Sequence, residues 1–217
     1  MLDSSVRVER ANVIVLSSKS VDEPGSSDRA DATVARILDG AYAAAQVHGL
    51  RKLTMDEIAK YTGLARVTLY KYFPNKDALV SALVTRELGD LLDEISRVGA
   101  PYADVGMRLT AMFTTAHELL RNNGLLQRLL ATEPETILPI IAYDSPFLTI
   151  GRAWIESELV ELHAAGSPED LSRAAEHIVR VMQSLLLAPP SVFDLNDPDD
   201  VRQLVSAWIL PTLPATE

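Results

Sequence analysis

From Asp31 onward, apolar residues recur at helical spacing. Val34, Ile37, Leu38, Ala41, Tyr42 and Ala45 follow an i, i+3, i+4, i+7 pattern and predict a helix stopped by Gly49. Thr54-Met55-Asp56-Glu57 has the form of a capping box, in which Thr54 takes the amide of Glu57 and Glu57 reaches back to the amide of Thr54. A short helix comes next, from Met55 to about Tyr61, and Gly63 breaks it. A third runs from about Ala65 to Tyr72 and stops before Pro74. Asn75 caps a long helix from Lys76 to about Arg97, striped by Leu79, Val80, Leu83, Val84, Leu88, Leu91, Leu92 and Ile95. Beyond Pro101, Tyr102, Val105, Leu109, Met112, Phe113, Ala116 and Leu120 form one amphipathic face. Leu125 to Leu130 reads as a short apolar helix, and Pro134, Pro139 and Pro146 interrupt the stretch after it. Ser145-Pro146 caps a helix to about Ala165. Ser167-Pro168-Glu169-Asp170 starts another, to about Ala188, and Asp197-Pro198-Asp199-Asp200 starts the last, to Leu210. No segment alternates with period two, so the fold class is all-α with roughly nine helices.

Composition narrows the function. The chain has 217 residues and is 47% hydrophobic, enough for a globular core. No run approaches 18 apolar residues, so no membrane span is expected. The apolar patch near the N-terminus is broken by Arg7, Glu9, Arg10 and Asn12 and makes a poor export signal, so a cytoplasmic location is expected. There are no cysteines, which removes disulfides, thiolate metal sites and cysteine nucleophiles. The net charge of −10 argues against a nucleic-acid partner, but its distribution does not. Residues 28–80 carry 8 basic and 6 acidic side chains, net +2, whereas residues 81–217 carry 9 and 20, net −11. Residues 1–28 end in a stretch rich in Ser, Asp, Gly and Pro and read as a flexible arm.

Residues 54–73, TMDEIAKYTGLARVTLYKYF, are two short helices joined by a tight turn at Thr62-Gly63-Leu64. This is the grammar of a helix-turn-helix, whose second helix enters a major groove. Ile58, Ala59, Leu64, Leu69 and Phe73 point inward by spacing. Arg66, Val67, Thr68, Tyr70, Lys71 and Tyr72 point outward, a mixture of cations, hydroxyls, aromatics and methyls suited to phosphates and base edges. A solvated helical hairpin fits the spacing equally well. Residues 32–88 resemble the N-terminal domain of the TetR family of bacterial transcriptional regulators. The matching residues are Ile37, Leu38, Ala41, Gly49, Leu53, Thr54, Met55, Ile58, Ala59, Gly63, Leu64, the string TLYKYFPNK at 68–76, and Ala78-Leu79. The resemblance implies that the helix at 65–72 reads the major groove and that Thr54, Tyr72 and Lys76 hold phosphates. Two positions depart from the family pattern. Ala65 stands where a capping serine is usual, and Val67 where a small residue is usual. Val67 brings two methyls that can meet a thymine methyl.

Enzyme chemistry finds no foothold. There is no G-x-S-x-G and no glycine-rich phosphate loop, and no two of His48, His117, His163 and His177 are at helical metal-pair spacing. No cofactor is expected. Met112, Phe113, His117, Phe147 and Trp154 are candidates to line a ligand pocket, although core packing is the simpler role for each. A strongly anionic ligand would need local arginines, for which Arg108, Arg121, Arg128 and Arg152 are candidates.

The expectation is therefore an all-α regulator in three parts: an arm at 1–28, a three-helix helix-turn-helix DNA-binding domain at 29–80, and a helical ligand-binding and dimerisation domain at 81–217. Its expected DNA contacts are Thr54, Arg66, Val67, Thr68, Tyr70, Lys71, Tyr72 and Lys76. Its expected partners are a double-stranded DNA operator and a fatty-acyl or other lipophilic effector that releases it. Resemblance to the family adds a second copy paired through residues 168–188 and 198–210. Leu171, Ala174, Ala175, Ile178, Val181, Met182, Leu185 and Leu186 form one apolar stripe there, and Leu204, Val205, Trp208 and Ile209 another, although an ordinary core face has the same pattern. The alternative is a helical protein–protein interaction module that has lost DNA reading.

Overall fold

The computed structural model describes residues 26–142, 145–188 and 192–214. Most of the expected arm, residues 1–25, lies outside them. Every element among the described residues is helical, and ten α-helices are present. The chain opens with α1 (Ser26–Lys52), α2 (Met55–Thr62), α3 (Arg66–Tyr72) and α4 (Lys76–Gly99). It continues with α5 (Val105–Asn122), α6 (Gly124–Thr132), α7 (Pro134–Ile141) and α8 (Pro146–Glu161). It closes with α9 (Pro168–Leu187) and α10 (Pro198–Leu204), extended by a wider π-type turn (Val205–Ile209) and a 3-10 turn (Leu210–Thr212). No described helix is long and apolar enough to cross a membrane.

Local chemistry sets most boundaries. Asn75, Asp104, Asn123, Ser167 and Asp197 each accept a backbone amide in the first turn of the helix they precede. Ser167 and Asp170 complete a reciprocal capping box at the start of α9. The box expected at α2 is only half made. The Thr54 hydroxyl accepts the Glu57 amide at 3.1 Å, but the Glu57 carboxylate is drawn to Lys60 Nζ at 2.8 Å instead of turning back. Ser145 sits at the start of α8 without making a capping bond. Pro134 and Pro146 do not interrupt helices but begin them, in the first turn where a missing N–H costs nothing. Pro139 alone lies inside one. The first helix begins earlier than the apolar pattern suggests, at Ser26, and continues past Gly49 to Lys52 after a break at that residue.

Two apolar cores hold the helices. One packs α4, α5, α8, α9 and α10 around Leu109, Leu159, Ile178 and Leu204. The other packs α1 to α4 around Ile37, Ile58, Leu69 and Leu79, and takes in Leu125 and Leu129 of α6 and Ile137 and Ile141 of α7. Most of the stripe on α9 faces this chain's own interior: Leu171, Ala174, Ala175, Ile178 and Leu185 are buried, as are Leu204, Val205 and Ile209. Tyr102, expected on the apolar face of α5, lies before that helix and is exposed.

A charged pair is buried beside the first core. Arg108 of α5 donates from Nε and Nη2 to Glu158 Oε2 of α8, at 3.0 and 2.5 Å. Glu158 Oε1 accepts the Ser96 hydroxyl at 2.6 Å, and Ser96 in turn accepts the Trp154 indole N–H at 2.8 Å. Three helices are thereby pinned by groups whose hydrogen bonds satisfy one another. Removing Arg108 strands Glu158 in a dry site, and removing Glu158 leaves the buried Arg108 only the exposed Glu161, 3.2 Å from its Nη2. Glu158→Ala is expected to destabilise the fold by about 3–5 kcal/mol in urea denaturation. The double variant Arg108→Met, Glu158→Leu should lose less than that single change, because it leaves no orphaned charge. A double variant less stable than Glu158→Ala would contradict this reading.

Candidate nucleic-acid interface

The helix-turn-helix is built on the turn at Gly63, whose φ of 64° lies in the left-handed region. Thr62, buried just before it, holds the turn through its hydroxyl, which donates to Ala59 O at 3.1 Å and accepts the Leu64 amide at 3.2 Å. Arg36 of α1 donates to Thr62 O at 2.9 Å and ties the turn to the first helix. Ile58, Leu69 and Phe73 are buried as their spacing requires, while Ala59 and Leu64 are half-buried. Ala65 contributes no side-chain cap to α3.

This anchoring turns the other face of α3 outward. Val67 is 76% exposed, Arg66, Tyr70 and Lys71 are exposed, and Thr68 and Tyr72 are half-buried. Arg66 is not loose. It pairs with Asp56 of α2 at 3.0 Å, lies 5.6 Å over the Tyr70 ring, and approaches the Tyr70 hydroxyl at 3.4 Å. The Tyr70 hydroxyl and the Asp56 carboxylate hold the Arg66 guanidinium above its usual range. Lys71 Nζ lies 6.0 Å over the Tyr72 ring. Thr54, exposed at the start of α2, accepts the Glu57 amide and keeps its O–H to donate. Lys76, half-buried at the start of α4, donates to Leu50 O at 3.4 Å. All eight sequence-identified residues thus lie on α2, α3 or the first turn of α4, or immediately before them. The Asp56 partner of Arg66, ten residues away on another helix, had no signal in the sequence pattern.

The joint behind this interface was also invisible in the sequence. Gly49 breaks α1 with φ 74° and ψ 171°, and a Cβ there would collide with Glu133 Oε1. Glu133, buried at the end of α6, accepts the Arg51 amide at 2.8 Å. From the same helix, Arg128 donates to the carbonyls of Gln46 and Val47, the latter at 3.2 Å. One helix of the body therefore satisfies backbone groups on both sides of the break in α1.

Beside that joint the body is hollow. A cavity of about 140 Å³ lies among α4 to α7 and is reached by Leu50 of α1 and Leu129 of α6. A second, of about 50 Å³, is walled by Met112, Phe113, Phe147 and Trp154. A third, of about 120 Å³, is walled by Phe113, His117, Arg121 and Met182. Leu120 lines all three, and Phe147 separates the first two. The five pocket candidates named from sequence are thus gathered around one set of adjoining cavities. Three of the four candidate arginines are not. Arg108 holds Glu158, Arg128 holds α1, and Arg152 bonds Glu156 and Ser172, each at 2.9 Å. Among the described residues there is no cluster of metal-ligating side chains.

Comparison with known proteins places this architecture. The family model for bacterial regulatory proteins of the tetR family matches residues 37–83. An uncharacterized HTH-type transcriptional regulator of Mycobacterium tuberculosis is 30% identical over 186 residues, covering 86% of this chain and 88% of its own length. The HTH-type transcriptional repressor KstR of the same organism is 30% identical over 156 residues, covering 70% and 69%. Among solved structures, the TetR family repressor AlkX from Dietzia sp. superposes with a TM-score of 0.66 at 19% identity, over 82% of this chain and 98% of that one. FadR from Bacillus subtilis, solved with stearoyl-CoA, superposes with a TM-score of 0.56 at 18% identity, over 81% and 98%. The chain belongs to the TetR family of bacterial regulatory proteins, whose members bind operator DNA, dimerise and take small ligands, and it is a DNA-binding transcriptional regulator rather than an enzyme.

Proposed function

We propose that this regulator is a repressor released from its operator by an apolar or amphipathic small molecule bound in the body. The carrying observation is that Leu50 and Leu129 belong both to the core beneath the helix-turn-helix and to the wall of the largest of the three adjoining cavities. A ligand that parts these residues displaces α6, and α6 carries the two side chains that hold α1. The relative KstR is itself named a repressor, which accords with this sign of control.

On DNA, α3 enters the major groove. Arg66, Val67, Thr68 and Tyr70 face base edges, whereas Thr54, Lys71, Tyr72 and Lys76 face phosphates. Arg66 arrives already oriented by Asp56 and Tyr70, which lowers the entropy lost on forming a bidentate contact. Two copies pair through the outer faces of residues 168–188 and 198–210. With the stripe of α9 turned inward, those faces carry Arg173, Glu176, His177 and Arg180, and Trp208, which is 39% exposed. His177 Nε2 lies 2.9 Å from Trp208 O and ties the two segments together. Pairing fixes the spacing of the two recognition helices, so a tilt of either head misplaces it against its half-site.

Lys76→Ala and Tyr72→Phe are expected to weaken binding to the protein's own upstream DNA by a similar factor for every sequence variant tested. Fluorescence anisotropy at several salt concentrations should show the log–log slope for Lys76→Ala reduced by about 1 per half-site. An unchanged slope would remove Lys76 from the phosphate set. Arg128→Ala tests the joint. Ligand binding to the body should persist, while the ligand-induced loss of DNA affinity, about 5–150-fold for couplings of this kind, should fall to about 2-fold or less. Undiminished release in that variant would route the coupling elsewhere.

A further inference from the structure

The polar groups around the three cavities are few, and several are occupied. Glu87 accepts both Nε and Nη2 of Arg86, at 3.2 and 2.9 Å. Asn123 caps α6 by accepting the Leu126 amide at 2.9 Å, and Gln127 donates to Leu120 O at 3.0 Å. Tyr42 of α1 and Arg121 of α5 also line them without a protein partner among the described residues, but Tyr42 is half-buried and Arg121 exposed; the fully buried polar atom left over belongs to His117 on α5. Its Nε2 is buried, lines the third cavity, and has no hydrogen-bond partner among the described residues. An orphaned buried nitrogen of this kind is costly unless something fills the space and meets it.

The charges around it decide what that something is. Burial keeps the His117 imidazole below its usual range. Arg121 pushes the same way, and Glu118 and Asp194 oppose them. The ring is therefore uncharged at neutral pH. Arg121 stands at the rim, but Glu118 on the same helix and Asp194 before α10 face the same region, so the mouth has no excess of positive charge. The first two cavities are lined by no cation at all among the described residues. A carboxylate at His117 would meet Arg121 only with Glu118 and Asp194 beside it, and one drawn into the first two cavities would lose its hydration without finding a cation. A plain hydrocarbon would leave Nε2 as it is.

We propose that the adjoining cavities take an uncharged lipophile with one terminal hydrogen-bonding oxygen, an alcohol, ketone or ester, whose oxygen meets His117 Nε2. Its hydrocarbon runs past Leu120 and Met182 toward Phe147. Each cavity alone is smaller than a typical ligand site of about 300 Å³, so the occupant joins them by turning the shared side chains aside. Methionine and leucine allow this at little cost. This inference rests on the ligand-responsive reading above and narrows its chemistry, setting aside free fatty acids.

The test is a titration of the whole protein at pH 8 with decan-1-ol, decanoate and decyltrimethylammonium. All three are kept below their aggregation limits, and binding is followed by tryptophan fluorescence and thermal shift. Decan-1-ol should bind at least about 10-fold more tightly than either ion. His117→Leu should weaken decan-1-ol about 5-fold and leave the ions unchanged, and His117→Gln, which retains a hydrogen-bonding group, should recover most of the loss. Decanoate binding as tightly as decan-1-ol would overturn the inference alone. So would decan-1-ol binding that is indifferent to His117→Leu. Failure of all three probes to bind would overturn it together with the ligand-responsive reading.

Discussion

Glu133 reaches under the first helix into a space that exists because residue 49 has no side chain. There it accepts the Arg51 amide, while Arg128, one turn earlier on the same helix, donates to the carbonyls on the other side of the break. Backbone groups at a helix end must find partners, and here the partners come from 82 residues further along the chain. The DNA-reading head is thus not a bead on a string. Its core includes Leu125, Leu129, Ile137 and Ile141, and its first helix ends where α6 permits. Close-packed contacts of this kind have discrete arrangements rather than a continuous range, which is what a switch requires.

Charge is divided in a way that serves the same end. In the head, cations stand on the outer face of α3 and at the start of α4, with Asp56 orienting one of them. In the body, Arg108, Arg128 and Arg152 are each held by a specific partner. The excess of acids beyond residue 80 then repels the DNA backbone from everything except the head. The first two cavities are lined by no cation among the described residues.

The fold was legible because most of its signals are local. Ser167 and Asp170, Asn75 and Gly63 act on neighbours within a few residues, and the period of Leu79, Leu83 and Leu88 needs only one helix to be read. The helix-turn-helix was legible for the same reason: Ile58, Leu69 and Phe73 are buried as their spacing requires. Errors came where tertiary partners compete. Glu57 left its expected cap for Lys60, and of the two roles the pattern on α9 leaves open, an interface or a core face, only packing shows that most of the stripe takes the second. Arg108 and Glu158 look like surface charges in sequence, and only their meeting across 50 residues makes them a buried pair. Glu133 gives no hint that it needs Gly49, since nothing in a linear pattern records which residue lacks a Cβ opposite it.

The central claim is that the head and α6 form one cooperative unit, through which the state of the cavity reaches the DNA. Native-state hydrogen exchange in low denaturant tests it most directly. The amides of Ile58 and Leu69 in the head and of Leu129 in α6 should exchange through the same opening, with equal free energies and equal denaturant dependence. Head amides that open at distinctly lower free energy, while Leu129 stays protected, would show the head to be an independent module and contradict the account.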